Sequence, residues 1–533
     1  MTSQRGILVN PDNGDYADCV KSKIFVDKSA LINLINERIG DQSRKFICMS
    51  RPRRFGKTFT AHMLSAYYSK GCDSKGLFDK LAASGTNGYH EHLNAHNVIK
   101  INVQYFLSRN EHDVKRMIDD WGLSIIEELT EMFPKKRKIK KLLTPPAAVC
   151  QLLNEIYKES GEKFVFILDE WDCVMREIKE DERSQKEYLD FLRMIFKDQP
   201  YVSLVYMTGI LPIKKYGTHS ALNMFDEISM TESQEFYDYV GFTENEVKQL
   251  CRKFKMKFSE IKLWYDGYTV GRRQHIFNPN SVVKALDKKV CLSYWTNTET
   301  VDALLPYIEL PQNGLKEAVL SLLSGDELKI SVGTFRNDMT SLKDRDEVLT
   351  LLVHLGYLSA APTVNKNEIN NRMVRIPNLE LRNEFEIIMK QSEVYGEAMR
   401  MISDSNALFE AIWNHEEEKV ASLIDRFHME YSSVIKYNDE NSLACVLTVA
   451  LFRAHDYYTR IFELPSGNGF ADVAFIPKKN VDKPAVLVEL KYDKVVDSAM
   501  MQIKEKRYAS ALDAYRGSLL LVGINYAKKK QKA

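Results

Sequence analysis

The sequence predicts a multidomain α/β protein, and three observations support this fold class. The chain has 533 residues, 44% of them hydrophobic, which is enough for about two to four globular domains. Short apolar runs alternate with helical patterns over residues 1–235, which favours a three-layer domain with a parallel sheet between helices. After a mainly helical middle region, residues 436–533 return to a mixture of strands and helices.

The elements of the first 235 residues support the three-layer prediction one by one. The unbroken apolar run Phe164–Leu168 is typical of a strand that is buried on both faces. The expected strands lie at 46–49, 98–103, 164–168 and 202–207, and the expected helices at 29–39, 59–68, 111–133 and 147–158.

The middle and C-terminal regions have different patterns. Residues 301–435 are predicted to be mainly helical, with a hairpin-like stretch at 355–378, and this combination resembles a winged helix. Residues 436–533 are predicted to form an α/β domain. Its expected strands lie at 458–463, 470–476, 485–491 and 518–522, and its expected helices at 440–455 and 498–512.

Charge and cysteine content narrow the class of protein. The 74 basic and 73 acidic residues give a net charge of +1, so bulk charge predicts no nucleic-acid partner. The basic runs 135–141 and 528–532 could contact phosphates, although a solvated loop and a solvated tail are the simpler interpretation. The eight cysteines form no CxxC pair, as expected for reduced thiols. Without a signal peptide or a membrane-spanning run, we expect a cytoplasmic protein with no membrane partner; the oligomeric state stays open.

A phosphate-binding loop is predicted where the first strand ends. In the pattern GxxxxGK[ST], backbone N–H groups surround the phosphates, the lysine reaches the β- and γ-phosphates, and the hydroxyl coordinates Mg²⁺. Gly56, Lys57 and Thr58 match this pattern between an apolar strand and a helix. Arg51 stands where the pattern has its first glycine. A basic turn without a ligand is the alternative interpretation of such a short motif.

The residues between Arg51 and the motif belong to the same predicted ATP-binding segment. Arg53 and Arg54 add positive charge that could also engage phosphate, and Phe55 directly precedes the glycine.

Acidic residues at the end of the third expected strand complete the predicted Mg-ATP site. Asp169 would hold Mg²⁺, directly or through water, and Glu170 would act as the general base that polarises the attacking water. Asp172 could support either role. Thr208 follows the next strand and could sense the γ-phosphate or the water, or cap a helix. The sequence therefore predicts ATP and Mg²⁺ as cofactors.

Several segments together give the chain a family resemblance. It resembles the AAA-ATPase-like family, in which such an ATPase is typically fused to a C-terminal PD-(D/E)XK nuclease-like domain. The segments are FVDKS (25–29), SRPRRFGKT (50–58), LDEWD (168–172), MTGILPI (207–213), WYDGY (264–268), FNPNS (277–281) and YWTNT (294–298). The resemblance covers most of the chain and includes the arginine at position 51. It implies ATPase roles for Lys57, Thr58, Asp169 and Glu170, and it places WYDGY in a helical lid at 236–300. For WYDGY itself, aromatic packing in a core is the simpler interpretation than a role in catalysis.

The C-terminal region carries a second candidate site. If the strands at 470–476 and 485–491 pair as an antiparallel hairpin, Asp472 lies opposite Glu489, and Lys491 projects from the same face. Glu440 could add a third carboxylate. This set resembles the PD-(D/E)XK nucleases of restriction-endonuclease-like fold, in which Asp472, Glu489 and Lys491 would be catalytic, with Mg²⁺ on the carboxylates. An exposed face with cross-strand charge pairs is the alternative.

These sites lead to one preferred function and two alternatives. We expect an Mg-dependent ATPase whose nucleotide state gates a nuclease acting on DNA or RNA. The first alternative is a nucleotide-switched sensor or scaffold that binds nucleic acid or protein without cleavage. The second is an ATP-dependent remodeller that holds DNA through the winged-helix-like region.

Overall fold

The chain folds into two compact units. The first comprises Met1–Asn297 and Lys329–Asn383, and the second comprises Thr298–Leu328 and Glu384–Ala533. The predicted division into domains at 1–235, 236–300, 301–435 and 436–533 is finer than these units and stays a prediction. The computed structural model describes residues 5–86, 88–134, 143–213, 215–216, 219–220, 222–232, 234–270, 273–295, 300–336, 339–362, 368, 370–431, 454–466, 469–478, 481–492 and 518–526.

The described residues form helices and strands in the following order along the chain. The helices are α1 (Gly14–Lys21), α2 (Leu31–Asn36), α3 (Lys57–Tyr68), α4 (Lys75–Phe78), α5 (Tyr89–His92), α6 (Val103–Arg109), α7 (Val114–Met132), α8 (Pro145–Ser160), α9 (Cys173–Glu177), α10 (Glu182–Phe196), α11 (Glu244–Phe254), α12 (Phe258–Tyr265), α13 (Pro279–Lys288), α14 (Thr300–Ile308), α15 (Leu315–Leu323), α16 (Arg345–Leu355), α17 (Leu379–Gln391), α18 (Gly396–Trp413), α19 (Glu417–Tyr431) and α20 (Ala454–Tyr457). The strands are β1 (Phe46–Ser50), β2 (Asn97–Asn102), β3 (Phe164–Asp169), β4 (Val202–Gly209), β5 (Lys215–Tyr216), β6 (His219–Ser220), β7 (Asp226–Ile228), β8 (Phe242–Thr243), β9 (Tyr268–Val270), β10 (Arg273–Phe277), β11 (Leu328–Ser331), β12 (Ser359–Pro362), β13 (Asn371–Arg375), β14 (Tyr458–Ser466), β15 (Gly469–Pro477), β16 (Ala485–Tyr492) and β17 (Leu519–Tyr526).

The main sheet of the first unit has the strand order β2-β3-β4-β1-β7, and every pairing in it is parallel. The four strands predicted from the apolar runs are confirmed, whereas the edge strand β7 was not predicted. All residues of β1, β3 and β4 are buried, as the continuous apolar pattern indicates. The α/β fold class is therefore confirmed.

The register of this sheet brings three strand ends to one edge. Ser50 at the end of β1 pairs with Gly209 of β4, and Leu168 of β3 pairs with Met207 of the same strand. Parallel strands end at the same side of a sheet, so the segments that follow β1, β3 and β4 meet there. In open α/β sheets this edge is the usual place for a ligand.

The segment from β8 to α13 has its own core, to which α11, α12 and α13 contribute buried apolar side chains. A capping box starts α11, since Thr243 and Glu246 each satisfy a backbone N–H of the other. The packing role predicted for the WYDGY segment is confirmed for Tyr265 and Tyr268, both fully buried.

A three-stranded sheet of order β11-β13-β12 follows later in the chain, and α16 precedes its hairpin. A helix followed by a small hairpin agrees with the predicted pattern. In α16, however, residues 347–354 are all buried. Tyr268 also donates a hydrogen bond of 2.8 Å to the carbonyl oxygen of Gly356, at the end of α16. The helix that would enter a DNA groove in a winged helix is therefore covered by protein.

The second unit contains a four-stranded mixed sheet of order β14-β15-β16-β17. The first three strands are antiparallel neighbours, and β16 and β17 pair in parallel. The four strands predicted here are confirmed. The predicted helices at 440–455 and 498–512 lie outside the described residues, apart from the two positions that belong to α20. None of the described helices is both long and apolar enough to cross a membrane.

Candidate active site

The loop between β1 and α3 leaves the start of α3 open. Gly56 is the N-cap of α3 and has φ +93°, a left-handed conformation that residues with a side chain rarely adopt. No side chain caps the first turn of this helix, whose N–H groups have no partner within it. A helix start of this kind attracts anions.

Arg51 fills the position of the missing first glycine as a structural residue. Its side chain is fully buried, and one guanidinium nitrogen, Nη1, donates to the carbonyl oxygens of Ser50 at 2.9 Å and Ile228 at 3.1 Å. Because burial removes water from the charge, the pKa of Arg51 falls to about 10. Arg51 therefore connects β1 with β7.

Lys57 lies at the first position of α3 and is only 4% exposed. Its ammonium donates hydrogen bonds of 3.0 Å to the carbonyl oxygens of both Arg51 and Pro52, so it joins the first residue of α3 to the residues that follow β1. Burial lowers the pKa of Lys57, and the negative charges of Glu170, Asp172 and Asp169 oppose this. The ammonium therefore lies within the field of the acidic residues after β3. Thr58, the next residue, is exposed.

The other residues of the loop have different surroundings. Arg53 and Arg54 are both exposed at the level of the whole residue. The guanidinium of Arg54 donates to the carbonyl oxygens of Tyr294 at 2.8 Å and Trp295 at 2.6 Å. Phe55 is buried and its ring packs edge-on against Tyr268, with the ring centroids 5.1 Å apart. The guanidinium of Arg54 therefore binds backbone carbonyl groups of the protein, and the ring of Phe55 belongs to the packed interior.

Asp169 and Thr208 meet at the edge where β3 and β4 end. Both are buried, and the hydroxyl of Thr208 donates a hydrogen bond to the carboxylate of Asp169. Thr208 lies within β4, so the alternative role of a helix cap is wrong. Mg²⁺ prefers oxygen ligands and usually takes one or two carboxylates together with phosphates and water. The oxygens of Asp169 and Thr58 fit this preference, and no cluster of three or more His, Cys, Asp or Glu with metal-binding geometry occurs among the described side chains.

Glu170 is held by an arginine that the sequence analysis did not identify. Arg176 on α9 donates from Nη2 to Glu170 at 2.6 Å and from Nε to Asp172 at 3.1 Å. The same carboxylate oxygen of Asp172 accepts hydrogen bonds from the backbone N–H groups of Ile210 at 3.0 Å and Leu211 at 2.8 Å. Asp172 is fully buried, so it serves as an internal anchor.

The backbone conformation of Glu170 and the pKa of its carboxyl group are both unusual. Its φ of +55° places a residue with a side chain in the left-handed region, which is uncommon. Burial raises the pKa of Glu170, and the positive charges of Lys57 and Arg176 oppose this rise. A carboxyl whose pKa moves toward neutrality is suited to accept a proton.

An apolar cavity of about 250 Å³ lies beside the start of α3. Gly56, Phe55 and Phe59 line it from the loop and α3, while Phe25 and Val26 come from the N-terminal segment and Phe242 and Val283 from the β8–α13 segment. Three segments that are distant in the chain build this cavity, and none of them alone has a recognisable pattern, so the cavity is not visible in the sequence.

The second candidate site is only partly within the described side chains. Val473 pairs with Val488 in the antiparallel register of β15 and β16, so the next position along both strands places Asp472 opposite Glu489. This is the register expected from the sequence. The side chain of Glu489 is fully buried. Glu440 and the side chains of Asp472 and Lys491 lie outside the described part of the chain, so their roles stay predictions.

Comparison with known proteins identifies two family matches. Residues 17–218 match the AAA-ATPase-like family, described as a predicted AAA-ATPase, and residues 438–533 match the PD-(D/E)XK nuclease superfamily. An uncharacterised protein of the vnfD 5′ region of Azotobacter chroococcum is 22% identical over 342 residues, which are 63% of this chain. The chain spans 61% of the length of that curated relative.

Among solved structures, two proteins from Aeropyrum pernix and one from C. elegans are similar. ORC2, in ADPNP–ADP complexes, has a TM-score of 0.30 and 14% identity over 69% of this chain and 96% of its own. ORC1, in complex with DNA, has a TM-score of 0.24 and 12% identity over 72% of this chain and 97% of its own. PCH-2 has a TM-score of 0.21 and 11% identity over 54% of this chain and 62% of its own.

Proposed function

Because the chain carries an AAA-ATPase-like domain at residues 17–218 and a PD-(D/E)XK nuclease superfamily domain at residues 438–533, we propose that it is an Mg-dependent ATPase coupled to a nuclease. ATP binds between the loop before α3 and the acidic residues after β3. The C-terminal domain acts on DNA or RNA, and the nucleotide state gates that action.

One observation carries the ATPase proposal. The ammonium of Lys57 lies in the loop before α3, where it contacts the carbonyl oxygens of Arg51 and Pro52. The negative charges of Asp169 and Glu170, at the end of β3, act to raise the pKa of this ammonium. A basic loop, a helix start without a side-chain cap and two carboxylates thus lie at one edge of a parallel sheet. This combination of charges suits a triphosphate with a divalent cation.

The apolar cavity supports a nucleoside rather than a simple polyphosphate as the ligand. It has about 250 Å³ of space, and Gly56, where the phosphates would lie, is one of its lining residues. Aromatic and aliphatic walls suit the faces of a planar base. We therefore assign the base to this cavity and the phosphates to the start of α3.

Each residue of the site has a role in this proposal. Lys57 and the first-turn N–H groups of α3 hold the β- and γ-phosphates, and Thr208 orients the carboxylate of Asp169. Thr58 and Asp169 would hold Mg²⁺, which would neutralise the charge of the phosphates. Glu170 takes the proton of the attacking water.

The test is phosphate release from Mg-ATP by the full chain. The Lys57→Ala variant should lose turnover, and Glu170→Gln should lower kcat by about 10²–10⁴-fold while it still binds nucleotide. Lys75→Ala, at an exposed lysine of α4, is the matched control and should behave as the wild type. Turnover that is equal in the wild type and in Lys57→Ala would refute the ATPase proposal.

The nuclease and its gating need a separate test on the same chain. Cleavage of single- and double-stranded DNA and RNA should require Mg²⁺, and Lys491→Ala should stop cleavage while it spares ATP turnover. Lys57→Ala should change cleavage through the nucleotide state. If cleavage is equal with and without nucleotide, gating is wrong.

A nucleotide-switched sensor or scaffold is the second candidate function. The contact of Arg54, in the phosphate-binding loop, with the carbonyl oxygens of Tyr294 and Trp295 favours it, because this contact links the loop to the segment after α13. A scaffold has no need of a divalent cation at Asp472 and Glu489, so calorimetric titration with Mg²⁺ separates the two functions. The burial of α16 speaks against the remodeller, which would hold DNA through this helix.

A further inference from the structure

We propose that Arg176 is a positioning residue of the hydrolytic site, which fixes the carboxylate of Glu170 against the buried anchor Asp172. This inference rests on the proposed ATPase function. It assigns a role to an arginine that no part of the predicted phosphate-binding motif contains.

The guanidinium of Arg176 joins two carboxylates with different surroundings. The Asp172 side chain is 0% exposed and also accepts two backbone hydrogen bonds from the segment after β4, so its position is fixed. The Glu170 side chain is 26% exposed and belongs to the edge where Lys57 lies. Arg176 itself is 8% exposed, so little water competes for its donors. A planar guanidinium that uses Nε on one acid and Nη2 on the other determines the orientation of both.

The Nε contact with Asp172 closes the turn between β3 and α9, four residues apart in the chain. The Nη2 contact instead joins Arg176 to the carboxylate of Glu170, whose backbone φ is +55°. Holding a residue in that region requires interactions that compensate for its cost.

The chemistry gives this contact a consequence. In hydrolysis, the water oxygen forms a bond to the γ-phosphorus, the bond from that phosphorus to the bridging oxygen of ADP breaks, and the water proton passes to Glu170. Glu170 must therefore be ionised before the step. Its surroundings comprise Lys57 from α3, Asp169 from β3, and Asp172 and Arg176 from the following turn and helix.

Removing Arg176 leaves the carboxylate of Glu170 without the guanidinium that holds it at 2.6 Å. Since this side chain is 26% exposed, it can then turn toward solvent, away from the position where it would meet the attacking water. The loss falls on the chemical step rather than on nucleotide binding.

The experiment measures kcat and KM for Mg-ATP hydrolysis at one pH by the full-length wild type, Arg176→Gln and Arg176→Lys. We expect kcat to fall by about tenfold or more in Arg176→Gln and by less in Arg176→Lys, which keeps the charge but not the two-sided contact. The affinity for Mg-ATP should stay within about twofold, since Arg176 acts on the base rather than on binding. Arg116→Gln, at an exposed arginine paired with Asp113 at 3.6 Å, is the matched control and should keep the wild-type kcat.

The outcomes separate the two proposals. If the wild type releases no phosphate, or Lys57→Ala releases as much as the wild type, the ATPase function itself fails. If the wild type is active, Lys57→Ala is not, and the kcat of Arg176→Gln equals that of the wild type, only the role of Arg176 is refuted. If Arg176→Gln does not fold because Asp172 loses its partner, Arg176→Lys decides, and an unchanged kcat there overturns the inference.

Discussion

The hydroxyl of Thr208 donates a hydrogen bond to the carboxylate of Asp169 and so joins the ends of β4 and β3. Both side chains are buried, so this bond forms away from water. It fixes the carboxylate that we assign to Mg²⁺, at the edge where the lysine and the general base also lie.

Replacing Thr208 with valine should show how much this hydrogen bond contributes to the free energy of unfolding. The Thr208→Val variant keeps the shape but leaves the buried carboxylate without its donor, so the free energy of unfolding should fall by about 1–3 kcal/mol. Urea denaturation measures this, and Thr208→Ser, which keeps the hydroxyl, should lose less. Equal losses in the two variants would contradict a role for the hydroxyl.

Replacing Gly56 with alanine should disturb the loop through its backbone alone. A Cβ at Gly56 would meet nothing within 4 Å, but φ is +93° there. The left-handed conformation costs a residue with a side chain about 1–2 kcal/mol, so Gly56→Ala should be less stable and bind Mg-ATP more weakly. Gly76 is equally open and its φ is not in this region, so Gly76→Ala is the control and should be neutral. If both variants match the wild type in urea denaturation, the φ of Gly56 has no such importance.

Filling the apolar cavity should weaken the binding of the base and leave the binding of the phosphates unchanged. In Val283→Trp, the larger side chain occupies much of a space of about 250 Å³, so ATP should bind at least about tenfold more weakly. Inorganic triphosphate, which has no base, should bind as it does to the wild type. Lys284→Trp, at the neighbouring position outside the cavity lining, is the control. Equal weakening for both ligands would place the base elsewhere.

The histidine pair His92 and His96 should make stability depend on pH. Their ring nitrogens are 2.9 Å apart, and burial, followed by the charges of His92 and Lys70, lowers the pKa of His96 from 6.5 to about 4. The unfolded chain therefore binds more protons between these values, and stability that is complete above pH 6.5 is lost as the pH falls toward 4. For His96 this amounts to at most about 3 kcal/mol. The free energy of unfolding from urea titrations at several pH values measures it.

The variant His96→Asn should lose part of that pH dependence. His90→Gln, at an exposed histidine nearby, should retain it. A His96→Asn variant whose stability falls with acid as steeply as that of the wild type would show that another group is responsible.

Local sequence patterns were sufficient for the strands, the loop and the acidic strand end. The apolar runs that became β1, β3 and β4 are continuous because both faces of the sheet are covered, and this pattern needs no tertiary information. The motif Gly56-Lys57-Thr58 and the pair Asp169-Glu170 are contiguous, so each is visible in the chain itself.

The parts that were missed depend on contacts between distant or short segments. The edge strand β7 has three residues and no alternation, so its pairing with β1 is a tertiary event. Arg176 belongs to a helix of five residues, and Glu170, which it contacts, has a left-handed backbone that no local pattern indicates. Lys28 and Glu246 form a partly buried ion pair across 218 positions, which no local pattern indicates.

The most direct test of the central claim is a calorimetric titration of the full-length protein with Mg-ATP. We expect one site per chain in the wild type and a loss of at least about tenfold in affinity in Lys57→Met, because this variant lacks the ammonium that lies in the loop before α3. Lys75→Met, at an exposed lysine, should titrate as the wild type does. Equal affinities in the wild type and Lys57→Met would contradict the claim that the triphosphate lies between Lys57 and Asp169.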